Sequence, residues 1–367
     1  MNPMNPINVL YAAVKNGNLR EVTTLLNDPT FQVNINSTSM ASTGANQGTC
    51  LVKACCKGYN DIVKILIQHH ANVKRKDYFG YTALHEAVLW NRIDVATTLL
   101  NHGAHVNADL EDRVNETPLM VAAGMIMESP CQKEMFDLLF KWGAVVNFEN
   151  VLGMTALHMA CRAGHTAAVE CLVHQNADLS GKDRDRFSPI HYACTNYKTE
   201  HFRRWANRTD VDNNVYLLGR REDDNTVDMT PIITLLLDNG VDVDSMGPLW
   251  ATPLHTAIQS GVISRVRLLL DRGASLTSET GLYVRQGERI GGESILECAI
   301  RKNNQPILNM IKHEQERRDL EYERQVRCRE AVMMGLHERL GENSYLKNLE
   351  PELIMKYIDE LLPLVKK

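Results

Sequence analysis

Apolar residues occur along this chain in short blocks of helical length, and the blocks come in pairs. One such pair covers residues 83–90 and 95–100. The quartet that opens it, Thr82-Ala83-Leu84-His85, returns in related forms along the chain. The interval between two of these copies, from Thr155 to Ser188, is 33 residues. A fixed interval of this length predicts stacked helix pairs rather than one globular core.

Residues with known preferences for helix ends mark both ends of each pair. A Thr or Ser opens each quartet, and its hydroxyl is suited to cap the first helix, where a following proline fits the first turn. A glycine after the second helix fits a left-handed C-cap. The quartets begin at Thr49, Thr82, Thr117, Thr155, Ser188, Thr252 and Ser294, and the glycines are Gly103, Gly143, Gly240 and Gly273.

These motifs resemble the ankyrin repeat over roughly residues 6–313. The resemblance implies an all-α ankyrin-repeat solenoid, here of about eight repeats, followed by a C-terminal helical tail. The first repeat, Val9 to Asn34, and the last, Glu293 to His313, depart from the full motif and are interpreted as caps. The array is therefore assigned to residues 1–313. Insertions are predicted at 35–46, 198–228 and 278–291, the first as a loop rich in Ser, Thr, Gly and Asn.

Net charge and cysteine content indicate which classes of partner and which cellular compartment to expect. The formal net charge is −5 with both signs mixed, so the chain lacks the positive field of a nucleic-acid binder. The chain contains no apolar run of about 20 residues, so no membrane partner is expected. Nine cysteines without a regular framework favour a reduced compartment, the cytoplasm or nucleus.

Candidate metal-binding or catalytic side chains recur at equivalent places in the repeats. A metal or catalytic role is conceivable for any histidine, but one per repeat at the same position favours hydrogen bonding to backbone and hydroxyl groups. The histidines are His85, His158, His191 and His255, and the cysteines of the first helices are Cys55, Cys161, Cys194 and Cys298. These cysteines are interpreted as small packing residues. The chain has no phosphate loop, nucleophile elbow or HExxH motif, so no cofactor, metal or catalytic residue is assigned and the chain is predicted not to be an enzyme.

The residues flanking the quartets indicate a binding surface. In this family, partners bind at the finger tips and along the exposed edge of the first helices. Here those positions are apolar or aromatic in the third repeat and its neighbours, whereas the sixth and eighth repeats have Arg184, Asp185, Arg301 and Lys302 there. Such a stripe on the concave side is typical of a protein-binding surface. Its predicted members are Tyr78, Phe79, Tyr81, Leu89, Trp90, Val114, Met125, Val151, Leu152 and Met154. The alternative is that the insertion at 198–228 or the loop at 35–46 folds over the stripe.

A predicted charged helix at 314–330 is followed by a helical segment at 331–367. This segment resembles a SOCS box, which implies binding to elongin C and a cullin, while residues 349–358 also resemble the first helix of an F-box, which implies a Skp-type adaptor. The tail residues assigned to adaptor binding are Cys328, Val332, Leu336, Pro351, Leu353 and Tyr357. The alternative is a helix pair that caps the last repeat.

The sequence therefore favours a non-enzymatic protein-interaction module, an adaptor or substrate receptor of a cullin-type ubiquitin ligase. The alternative function is a stand-alone scaffold or inhibitor whose tail is only a cap.

Overall fold

The computed structural model describes residues 5–40, 46–76, 81–108, 115–124, 132–195, 228–280, 283–285, 288–290 and 292–340. The chain divides into two compact units, Met1–Cys298 and Ala299–Lys367.

Helix pairs make up most of the first unit. The pairs are α1 (Pro6–Lys15) with α2 (Leu19–Asn27), α3 (Cys50–Lys57) with α4 (Asn60–Gln68), α5 (Ala83–Leu89) with α6 (Ile93–Asn101), α7 (Pro118–Gly124) with α8 (Gln132–Lys141), α9 (Ala156–Ala163) with α10 (Thr166–His174), α11 (Pro189–Cys194) with α12 (Thr230–Asp238), and α13 (Pro253–Ser260) with α14 (Ile263–Asp271). Helices α15 (Ile295–Lys302) and α16 (Gln305–Leu340) follow, and the boundary between the two units falls within α15.

The helix ends form where the sequence predicts them. The Thr49 hydroxyl accepts a hydrogen bond from the Val52 backbone N–H at 3.2 Å and so caps α3. The predicted C-cap glycines all adopt positive φ, with values of 83° at Gly103, 82° at Gly143, 87° at Gly240 and 85° at Gly273. Both signals, the capping Thr or Ser and the C-cap glycine, occur together in four pairs, α5 with α6, α7 with α8, α11 with α12 and α13 with α14.

The pairs stack through like helices. First helices contact first helices in the order α1, α3, α5, α7, α9, α11, α13, and second helices contact second helices from α2 to α14. The core is the continuous apolar layer between them, with Leu84, Leu119 and Leu254 all buried. The prediction of an all-α repeat solenoid is therefore confirmed.

Two of the predicted insertions contain short antiparallel hairpins. Strand β1 (Thr38–Met40) pairs with β2 (Asn46–Thr49), so the expectation of a plain loop at 35–46 is wrong. Strand β3 (Tyr283–Arg285) pairs with β4 (Glu288–Ile290) inside the 278–291 insertion. Most of the remaining predicted insertion, residues 198–227 of 198–228, lies outside the described residues.

The second unit is dominated by α16. This single helix of 36 residues runs through the predicted start of the charged helix at 314 and on to Leu340. Near its start Ile307 and Ile311 are buried. Farther along, Glu314 pairs with both Arg317 and Arg318 at 2.7 Å, and these arginines lower the pKa of Glu314 to about 2. Side-chain pairs three and four residues apart stabilise this part of the helix.

Candidate protein-binding surface

A tight turn, here called a finger, precedes each of the first helices α9, α11 and α13. In three fingers the first residue donates its backbone N–H to the carbonyl four residues on: Asn150 to Met154 at 3.0 Å, Asp183 to Phe187 at 2.9 Å, and Gly247 to Ala251 at 2.8 Å. The three fingers therefore share this closing hydrogen bond, which aligns them position by position.

Each of the four quartet histidines connects its own repeat to the residue that leads into the next first helix. In each, Nε2 lies close to the backbone carbonyl of the residue that precedes the next capping residue. The pairs are His85 with Glu116 at 3.2 Å, His158 with Phe187 at 3.2 Å, His191 with Ala251 at 3.1 Å and His255 with Glu293 at 3.2 Å. The structure thus confirms that these histidines are hydrogen-bonded core residues.

The partners of both ring nitrogens determine the charge state of these histidines. A carbonyl only accepts, so Nε2 must carry the proton. The other nitrogen, Nδ1, lies 3.1–3.4 Å from the backbone N of the capping Thr or Ser, which only donates, so Nδ1 is unprotonated. Burial lowers the pKa of His158 and of His191 to about 4, and it also lowers the pKa of His255. The rings are therefore neutral structural groups near neutral pH.

Four members of the predicted stripe remain accessible in the structure. Trp90, at the end of α5, is 39% exposed, and its Nε1 donates to Glu86 Oε2 at 3.0 Å. Leu89, Val151 and Leu152 are half-buried. The predicted members Tyr78, Phe79, Val114 and Met125 lie outside the described residues.

Two predicted members are core residues instead. Tyr81 is buried with its ring edge-on to His85 at 5.9 Å, and Met154 is buried with its sulfur 3.9 Å from Arg162 Nη1. Both immediately precede the capping threonine, and both side chains lie against their own repeat, Tyr81 against His85 and Met154 against Arg162. The expectation that these two side chains are exposed is wrong for this reason.

An exposed aromatic finger lies between α12 and α13, and its residues are not among the predicted binding positions. Here Trp250 is 57% exposed and Leu249 is 48% exposed. Trp250 occupies the finger position that Gly153 and Arg186 hold in the two fingers before it, and all three have positive φ, at 61°, 75° and 70° respectively. The signal available in the sequence was a tryptophan two residues before the capping Thr252, where Gly153 precedes Thr155.

A family model for ankyrin repeats (three copies) matches residues 10–109 and 119–212, and a model for the single ankyrin repeat matches residues 250–280. The chain belongs to the ankyrin-repeat family. Proteins of this family are typically interaction modules that bind other proteins.

Other ankyrin proteins resemble this chain over part of its length. The "Ankyrin repeat and KH domain-containing protein mask-1" of Caenorhabditis elegans is 27% identical over 173 residues, which is 45% of this chain and 6% of that protein. The human "Ankyrin repeat and SOCS box protein 6" is 34% identical over 143 residues, 37% of this chain and 32% of that protein. This chain thus spans at most about a third of either relative.

A solved structure shows the same ankyrin architecture. The crystal structure of the human ASB11 ankyrin repeat domain matches with a TM-score of 0.53 and 20% sequence identity. The match covers 72% of this chain and 98% of that chain. At this identity the likeness supports the fold alone.

The last ankyrin repeat differs from the others on the face that would meet a following repeat. Leu296 and Ile300 are 40% and 55% exposed, whereas their equivalents Leu84 and Val88 in the third repeat are fully buried. The histidine is also replaced, since Glu297 Oε2 accepts hydrogen bonds at 2.8 Å from both the backbone N–H and the hydroxyl of Ser294. A carboxylate can close the capping box here but cannot donate to a next finger.

The described residues of this chain give little support to a reactive thiol, a metal site or a membrane-spanning helix. Burial raises the pKa of Cys50 and of Cys194 to about 12, which leaves these thiols unreactive. No group of three or more His, Cys, Asp or Glu among the described residues is arranged to hold a metal ion. None of the described helices has the length and apolar character required to span a bilayer.

Proposed function

We propose that this ankyrin protein is an adaptor or substrate receptor of a cullin-type ubiquitin ligase. The ankyrin face captures another protein, and the C-terminal tail recruits the ligase. The observation that carries the proposal is the length of α16. The second helices of the earlier repeats have 9 or 10 residues, whereas α16 has 36. Most of this helix therefore exceeds what closing a repeat requires.

Three of the six tail residues predicted to contact an adaptor belong to this helix. Cys328, Val332 and Leu336 all fall within α16 at i, i+4 and i+8, a spacing typical of one helix face. A helix with such a stripe is suited to insert into a partner's groove. The names of two human relatives, "Ankyrin repeat and SOCS box protein 6" and "Ankyrin repeat and SOCS box protein 16", support the choice of an elongin–cullin partner over a Skp-type adaptor. The predicted contacts at Pro351, Leu353 and Tyr357 lie outside the described residues.

A second candidate is a stand-alone ankyrin scaffold or inhibitor whose tail covers the last repeat. The exposed side chains of Leu296 and Ile300 favour it, because in the other repeats the same positions are covered by the next helix pair. An apolar surface of this kind is stabilised when a further helical element packs on it.

A truncation separates the two candidates. Full-length protein and a variant ending at Glu330 are used to recover elongin C, cullins and Skp-type adaptors from cell extract, and both are melted by circular dichroism. The ligase proposal expects cullin recovery only with full-length protein and nearly equal melting temperatures. Equal melting without any ligase component in either sample refutes it, and a large fall in the melting temperature of the truncated protein without ligase recovery favours the capping role.

A matched variant controls for indirect effects on the ankyrin face. Trp90→Ala changes the predicted capture surface and leaves the tail intact. We expect it to recover the same amount of cullin as wild type. Loss of cullin recovery in Trp90→Ala would contradict the assignment of ligase binding to the tail.

A further inference from the structure

Two neighbouring fingers bring a cation and an aromatic ring together on the surface. The guanidinium carbon of Arg186 lies 5.5 Å from the centre of the Trp250 ring. The two residues hold the same turn position in consecutive fingers, and the first helices that follow these fingers, α11 and α13, are in contact. We call Arg186, Leu249 and Trp250 the Arg–Trp patch. Its geometry is set by the stacking of the repeats, so its parts are preorganised.

The backbone of the second finger is unfavourable for bulky side chains. Leu249 and Trp250 have φ values of 52° and 61°, a left-handed conformation that residues with a Cβ rarely adopt twice in succession. Glycine holds the equivalent position of an earlier finger without this strain, at Gly153. Packing does not explain the tryptophan either, since Trp250 is the most exposed large apolar side chain among the described residues of Met1–Cys298. Strain of this kind is concentrated at ligand-binding sites.

The charges around the patch indicate the chemistry of a ligand. Three exposed cations, Lys182, Arg184 and Arg186, lie on the first finger together with one exposed acid, Asp185. The other acid of this finger, Asp183, is buried and already accepts hydrogen bonds from the Tyr192 hydroxyl at 2.6 Å and from the Phe187 N–H at 2.7 Å. Among the described residues the Arg186 guanidinium has no hydrogen-bond acceptor, so its N–H groups are available to a carboxylate.

We propose that the Arg–Trp patch binds a short acidic segment of the captured protein. An apolar side chain of that segment packs on Leu249 and Trp250, and a neighbouring carboxylate pairs with Arg186. An arginine stacked on an aromatic ring keeps its donor edge open for bidentate pairing, which gives this arrangement its specificity. The proposal rests on the protein-binding role of the ankyrin array and does not depend on recruitment of a ligase.

The test uses full-length protein and a phage library of random 12-residue peptides. We expect the selected peptides to be enriched in Asp or Glu next to a large apolar residue. A synthetic peptide from this pool, followed by fluorescence polarisation, should bind at least tenfold more weakly to Arg186→Glu and to Trp250→Gly. Arg267→Glu and Trp142→Ala, which change an exposed arginine and an exposed tryptophan elsewhere, should bind it as wild type does.

Trp250→Gly distinguishes binding from a structural role. Glycine relieves the left-handed strain, so its melting temperature should equal or exceed that of wild type while peptide binding is lost. Selection of basic or uncharged peptides overturns the proposal, as does equal binding to wild type, Arg186→Glu and Trp250→Gly. A clear fall in the melting temperature of Trp250→Gly would instead show that the tryptophan is a packing residue. None of these measurements contains a ligase component, so they leave the proposed function to its own test.

Discussion

The buried histidines predict a specific loss of stability in mild acid. His158 and His191 have pKa values of about 4 in the folded protein, below their ordinary value of 6.5. Above pH 6.5 both are neutral whether the chain is folded or not, so their contribution is fully present. As the pH falls from 6.5 towards 4 the unfolded chain binds protons that the folded chain excludes, and stability is lost. Between pH 7.5 and 5.0 this amounts to about 2 kcal/mol for each histidine and about 4 kcal/mol for the two.

Other titrating groups act in the same or the opposite direction. Burial lowers the pKa of His255 as well, which adds to the loss. Burial raises the pKa of Asp183, so uptake of a proton by this carboxyl favours the folded state and opposes the loss. Glu314, with a pKa of about 2, contributes stability that is lost only below about pH 4.5. Keeping the measurement at or above pH 5.0 avoids the loss due to Glu314, and comparison with a histidine variant separates the histidines from Asp183.

The assay is urea unfolding followed by circular dichroism at pH 7.5, 6.5, 5.75 and 5.0. The double variant His158→Gln/His191→Gln retains a side-chain N–H donor but cannot take up a proton, so its stability should be lower overall and much less dependent on pH. His174→Gln, at an exposed histidine, should keep the wild-type pH dependence. An identical slope for wild type and the double variant would refute the reasoning that burial keeps these rings neutral.

Three substitutions test the burial and capping assignments, each by urea unfolding. Trp90→Ala should lower stability by less than about 1 kcal/mol, because the side chain is partly exposed. Truncation of a core tryptophan would instead lower stability by about 3–5 kcal/mol. The binding free energy for a partner isolated with the full-length chain should weaken by roughly 2 kcal/mol. Met154→Ala should lose about 2–5 kcal/mol, since Met154 is buried, and a loss below about 1 kcal/mol would restore it to the exposed stripe. Arg265→Leu should lower stability by about 1.5–3 kcal/mol, because the buried Arg265 donates a hydrogen bond to the Thr195 carbonyl at the end of α11, at 2.6 Å. Unchanged stability would show that this hydrogen bond at the helix end is dispensable.

Local chemistry alone determined the repeat architecture of this protein. The capping Thr or Ser, the first-turn proline and the C-cap glycine act within a few residues of one another, so their positions mark each helix pair whatever surrounds it. Recurrence then identified the histidines as structural, because a residue repeated once per helix pair is explained by a bond that is also repeated. The boundaries within the tail could not be predicted in this way. Its charged and apolar parts belong to one continuous helix, α16, because both compositions are compatible with helical structure.

Only the tertiary structure decided which side chains are exposed. Tyr81 and Trp90 are both aromatic and lie nine residues apart, yet Tyr81 packs against a histidine of its own repeat while Trp90 remains accessible. Leu296 is 40% exposed whereas Leu84 is buried, although the two residues hold the same position in their quartets. The pairing of Arg186 with Trp250 joins residues 64 positions apart across two stacked fingers. The exposure of Leu296 and the contact of Arg186 with Trp250 depend on what lies beyond a single repeat, so a pattern within one repeat does not contain them.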